Sequence, residues 1–185
     1  MTSASLLADL PEIIATGIKV VMPELAQCKG MSGRFDIEQI KRLGVSSPAV
    51  LISRLRTVQD KTYAGPHVTF GVEMAAFVIC KEGLGAGRHE MSGRIAQTLL
   101  TLIPNCNWGQ PDDIDGATGV QELPLTTKAT DEVGMAVIAV TWSHVISLTS
   151  LPLGEAISPE VYLGMAPLIG TAAYDAGSYD QIGGQ

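Results

Sequence analysis

The stretch VGMAVIAVTWSHVISL, residues 133–148, limits the possible folds of this chain more than any other segment. Read with a period of two, Ala136, Ile138, Val140, Trp142, His144 and Ile146 fall on one side, and Met135, Val137, Ala139, Thr141 and Val145 on the other. A strand that is apolar on both sides must be covered on both faces, so it predicts a central position in a sheet with material above and below. With 185 residues, 46% of them hydrophobic and 5% aromatic, the chain has enough apolar surface to close such a core without a metal or disulfide staple.

The rest of the chain supplies the neighbours. AVLISRLRT (49–57) and HVTFGVEMAAFVIC (67–80) flank the polar loop QDKTYAGP and predict a pair of adjacent strands. In the second of these, Val68, Phe70, Val72, Met74, Ala76 and Val78 share a face. The other face is mixed, carrying His67, Thr69 and Glu73 before Phe77 and Ile79. A further strand is expected at 117–125. Leu6, Leu7, Leu10, Ile13, Ile14 and Ile18 recur at helical spacing, which predicts a first helix with Pro11 in its opening turn and an end by Pro23. A short helix follows at 36–43, with Asp36 as N-cap and Gly44 as stop, and a third at 88–103, with Ile95, Leu99, Leu102 and Ile103 inward. The expected class is α/β (α+β): a mainly antiparallel or mixed sheet of about four strands flanked by helices, in the order α-α-β-β-α-β-β. The tetrapeptide MSGR occurs at 31–34 and 91–94, too short a match to establish a repeat. Residues 1–149 form the expected domain. Residues 150–185, rich in Gly, Ala, Pro, Ser and acids and free of cations, form an extension. Its apolar part, 161–169, is expected to lie on its own domain or on a neighbouring subunit, and 171–185 to be disordered.

Net charge is -7, which disfavours wrapping nucleic acid. Eight of the twelve cations lie in residues 1–61, whereas six acids and no cation follow Lys128. Cys28, Cys80 and Cys106 form no Cys-x-x-Cys pair and read as idle thiols in a reducing compartment. No apolar run approaches the ~20 residues of a membrane span, and Asp9 and Glu12 precede any Lys, unlike a secretory leader; a soluble protein made in the cytoplasm is expected.

Chemical motifs are sparse. Gly83, Gly85 and Gly87 stand between a strand and a helix, where dinucleotide folds hold a pyrophosphate, but Arg88 stands where the third glycine of G-x-G-x-x-G belongs, and the acidic residue about 20 positions on is missing. The strand leading in also reads as half of a hairpin, not of a parallel βαβ unit. A small nucleotide-binding enzyme using this turn is thus a minor alternative. HEMSG at 89–93 begins like a zincin helix but has Gly93 in place of the second His. His67 and His144 could meet in space but lack a supporting ligand cluster. Asp112, Asp113 and Asp115 share a turn with Trp108 that reads as solvated. No G-x-S-x-G elbow is present. Catalytic, cofactor and metal residues are therefore expected to be none. Arg54 and Arg56 are read as sharing a strand face that looks at water, a partner's acids or a phosphate chain. An adaptor that binds DNA through them is disfavoured by the acidic total.

The element order, the size, the closing strand VGMAVIAVTWSHVISL and the segment SPEVYLGMAPL resemble the tail-terminator (tail completion) family of long-tailed bacteriophages, in its Mu-like version. The likeness spans about residues 3–148 plus that segment. It implies an α/β subunit that forms a homohexameric ring on the end of the tail tube, stops tube polymerisation and offers a docking surface to head-tail connector and neck proteins. DNA would pass through the ring lumen without sequence-specific contact, and the protein would reside in the virion tail or neck, with no membrane partner. Another neck, tube-end or baseplate minor tail protein is the nearest alternative. The family brings no catalytic residues, and the long C-terminal extension departs from its pattern. The side chains expected at subunit or partner contacts are Arg54, Arg56, Arg88, Trp108, Val161, Tyr162 and Leu163.

Overall fold

The computed structural model describes residues 5–31, 44–62, 67–82, 87–125, 127–149, 162–163 and 180–181. The chain divides into two compact units, Met1–Leu148 and Thr149–Gln185.

The first unit is a mixed α/β structure. Helix α1 (Leu6–Val21) leads to strand β1 (Gln27–Met31), followed by β2 (Ala49–Thr62), β3 (His67–Lys81), helix α2 (Arg88–Leu102) with a 3-10 turn at Ile103–Asn105, strand β4 (Thr118–Pro124), the single-turn helix α3 (Lys128–Asp131) and β5 (Met135–Thr149). The strands form one five-stranded sheet in the order β1-β2-β3-β5-β4. β1 runs parallel to β2; β2 and β3 pair antiparallel, as do β4 and β5. The end of β3 meets the start of β5, where Glu82 N donates to Gly134 O at 3.4 Å.

Alternation along the strands sorts two clusters. On one face Val50 and Ile52 of β2, Val72, Met74, Ala76 and Val78 of β3, and Val140, Trp142 and Ile146 of β5 pack with Leu10, Ile14 and Ile18 of α1 and Ile95, Ala96 and Leu99 of α2. On the other face Ala49, Leu51, Ala75, Phe77, Ile79, Met135, Val137 and Ala139 form a smaller buried group with Val45. The two-sided burial expected for the last long strand is therefore present, and β5 lies inside the sheet.

Three features depart from the sequence reading. The sheet has five strands, not about four: QCKGM carries no apolar alternation, and it is a strand because it pairs with the already buried Ala49–Ser53. Pro11 sits at the sixth position of α1 instead of its opening turn. Finally, Arg54 and Arg56 do not share a face. Arg54 pairs with Met74 and Arg56 with Glu73, so Leu55 is the extra residue of a β-bulge, and the bulge turns consecutive alternate positions to opposite sides. The helix expected at 36–43 lies outside the described residues.

In the second unit Tyr162–Leu163 (β6) pairs antiparallel with Asp180–Gln181 (β7), in the register Tyr162 with Gln181 and Leu163 with Asp180. Asp180–Gln181 falls within 171–185, the stretch expected to be disordered, and Tyr162–Leu163 within the apolar part 161–169; the other expectations for 150–185 lie outside the described residues, Val161 among them.

Candidate functional site

Pro11 has no N–H to give to the carbonyl of Leu7, one turn earlier in α1, so that carbonyl needs another donor. Arg54 provides one: its Nη1 donates to Leu7 O at 2.8 Å. The arginine is thus engaged within its own chain. Arg56, on the other face, makes only a loose ion pair with Glu73 at 3.8 Å, both side chains being at least half exposed. Such a pair contributes little in water.

Arg88 opens α2, where the helix dipole disfavours a cation. Two carboxylates offset this, Asp131 at 2.5 Å and Glu82 at 3.5 Å, and the guanidinium is only 19% exposed. It ties the end of β3 to α3. Trp108, expected at the surface, is instead 8% exposed, with a left-handed backbone (φ 56°). Its indole lies against Gly17 of α1, where an added Cβ would come within 2.9 Å of Cε3.

Trp108 leads to the most organised polar group among the described residues. Its Nε1–H donates to His144 Nε2 at 2.9 Å, while His144 Nδ1 and the carbonyl of Asp115 are 2.8 Å apart. The ring is fully buried. Since the carbonyl can only accept, Nδ1 carries the proton and Nε2 is the acceptor: the imidazole is neutral with a fixed tautomer. Burial pushes its pKa below the ordinary 6.5, against a smaller upward pull from the Asp115 carbonyl and carboxylate. Trp142 stands edge-on to the same ring, centroids 6.2 Å apart. Both imidazole nitrogens are engaged, so His144 is a packing residue here and not an open ligand.

The thiols are similarly inert. Cys28 Sγ donates to Ala15 O at 3.2 Å, and burial pushes both Cys28 and Cys80 up to about 11, which keeps them protonated at neutral pH. No group of three or more His, Cys, Asp or Glu side chains that could hold a metal occurs among the described residues. None of their helices is long and apolar enough to cross a membrane.

Residues 83–86 of the glycine turn lie outside the described residues; Gly87 is the N-cap of α2. The surrounding topology is not the dinucleotide one. β3 is antiparallel to β2, and β4, the next strand after α2, is separated from β3 by β5.

Both edges of the sheet are blunted. At β1, Gly30 N–H donates to Glu12 Oε2 at 2.7 Å, and the α1 backbone comes so close that an added Cβ would meet Glu12 N at 2.8 Å. At β4, Leu125 N donates to Val137 O, so by alternation Glu122 and Pro124 face outward, and Pro124 has no N–H to offer.

Among the described residues, the distal half of β2 is left without a second strand neighbour. β1 accompanies it only as far as Ser53. From Arg54 to Asp60 every residue is exposed, including Leu55 at 50% and Val58 at 43%. In the sequence, the two arginines of this stretch stand out by their charge, and the two aliphatic residues between and beyond them do not. An exposed Leu looks the same as a buried one in a strand pattern until the bulge is known.

No protein-family model matches this chain, and no curated protein matches it.

Proposed function

We propose that this chain is a virion structural protein of the tail-terminator kind, whose copies close into a hexameric ring on the end of a tail tube, end its growth and present a face for head joining. The observation that carries the reading is the distal half of β2, seven consecutive exposed residues with Leu55 and Val58 held in water. A protein partner seated on this half of β2 would bury both side chains. Gly30 and Pro124 blunt the edges at β1 and β4, whereas the distal half of β2 has a described strand neighbour on the β3 side alone, so a contact through that half of β2 is the available route.

A mixed α/β fold with helices against the sheet is compatible with the subunit that the resemblance implies. A closed ring uses two different patches of one subunit, each fitting the other, and obligate contacts bury about 2,000 Å² or more. His144 and Arg88 are each tied into the scaffold, by hydrogen bonds and by ion pairs respectively.

The test is light scattering and electron microscopy of the purified protein, alone and mixed with tail tube. Six-membered rings or capped tube ends are expected; a strict monomer that never engages tube overturns the reading. Labelling the subunit in intact particles separates a terminator from a baseplate or other neck component.

A further inference from the structure

The one buried imidazole holds a loop tip in place through a single acceptor nitrogen. The segment from Cys106 to Asp115 is fastened to β5 at its far end, where Asp115 N donates to Val145 O and Ser147 N to Asp113 O, both at 2.9 Å, and where Ile114 is buried and bridges to Ile146. Its near end is a turn, Gln110 N donating to Asn107 O at 3.0 Å, and within that turn the Trp108 indole is what reaches the core. Trp108 also holds a backbone conformation, φ 56°, that a bulky residue adopts only when its surroundings hold it there.

We propose that His144 is an acid-sensitive latch for this turn: a proton added at Nε2 turns the acceptor of the Trp108 indole into a donor, and the turn around Trp108 leaves its seat between α1 and β5 while the sheet stays folded. No bond other than N–H forms, and the proton comes from solvent. Asp115 O keeps its bond to Nδ1–H in both states, so the ring stays aimed at the indole and two N–H groups would face each other across 2.9 Å. The groups around the ring offer a proton little compensation. From β5 it meets Trp142 and from the loop Trp108 and Asp115; behind Trp108 stands Gly17, without a side chain. The Asp115 carboxylate is exposed and its pull on the cation is outweighed by burial.

The sequence has two tryptophans, and Trp142 Nε1 is buried without a hydrogen-bond partner, so Trp142→Phe removes an unsatisfied donor and leaves Trp108 as the sole tryptophan, whose indole can be excited apart from the four tyrosines. In this variant the emission is expected to shift to the red as pH falls from 7.5 to 5, with a midpoint below 6.5 and an unchanged far-ultraviolet circular dichroism spectrum. Adding His144→Gln, whose amide can keep both a donor and an acceptor, should remove the shift. Emission that stays constant over this range, that moves only together with loss of the sheet signal, or that moves equally in the His144→Gln variant overturns the latch. If the substituted proteins do not fold, the wild type decides by nitrogen NMR: the latch requires His144 protonated at Nδ1 alone at pH 7.5 and a Trp108 indole N–H resonance that moves with the His144 titration. An Nε2–H tautomer, or an indole resonance indifferent to that titration, refutes it.

Discussion

The two halves of β2 are one strand with opposite fates. From Ala49 to Ser53 each residue is buried, with β1 on one side and β3 on the other; from Arg54 to Asp60 each is exposed, with a described strand neighbour on the β3 side alone. The change takes place at the Leu55 bulge. The first half is used up in folding the chain, and the second retains apolar side chains that the fold leaves exposed. On the proposed reading, stability rests on the first half and ring contacts on the second.

Substitutions on the two sides should separate those properties. Ile52→Ala, in the proximal half and fully buried, is expected to cost about 2–5 kcal/mol in chemical denaturation. A cost comparable to a surface change would break the contrast. Gly30→Val, at the point where β1 touches the α1 backbone, should cost about 1–3 kcal/mol by overpacking, because the added Cβ meets Glu12 N and Pro11 C, which are main-chain atoms that cannot swing aside. A neutral result would mean that α1 and β1 slide apart freely.

The pH dependence of stability comes next in size. The folded pKa of His144 lies below its unfolded value, so the folded state binds fewer protons there. The associated stability is complete above pH 6.5 and lost as pH falls below it, at no more than about 1.4 kcal/mol per pH unit. Denaturation midpoints at pH 7.5 and 5.5 should differ in that direction, and His144→Gln should flatten the difference.

Arg54→Ala should cost about 0.5–1.5 kcal/mol, since it leaves Leu7 O without the donor that replaces the missing Pro11 N–H. Restoring the N–H by Pro11→Ala should recover part of that loss in the double variant, a coupling that a purely surface arginine lacks. The smallest effect on stability belongs to Leu55→Ser with Val58→Ser, each expected within about 0.5 kcal/mol. If the proposed ring closes through β2, the same pair should abolish rings in the electron microscope. Rings that persist with both substitutions move the subunit contact elsewhere.

Much of the framework was legible beforehand. The period-two runs in 67–80 and 133–148 announced β3 and β5 and the faces of each, and helical spacing of Leu and Ile announced α1 and α2. β1 was not legible, because Gln27–Met31 is a strand by pairing and not by pattern. Among the expected contact residues, Arg54, Arg88 and Trp108 turned out to be bound within their own subunit, and Arg56 remained in water. Residue type and local spacing indicate that a charge or an indole needs a partner, but not where in space that partner stands.

By itself the sequence determined the class of structure: alternation and helical periodicity are local properties, and burial follows from them once any core forms. Only the tertiary structure decided the role of each polar side chain. Arg54 meets a carbonyl 47 positions away, Trp108 meets an imidazole 36 positions away, and one bulged residue reverses which face an arginine occupies. Such pairings depend on how distant segments are brought together, and short-range pattern carries no record of that.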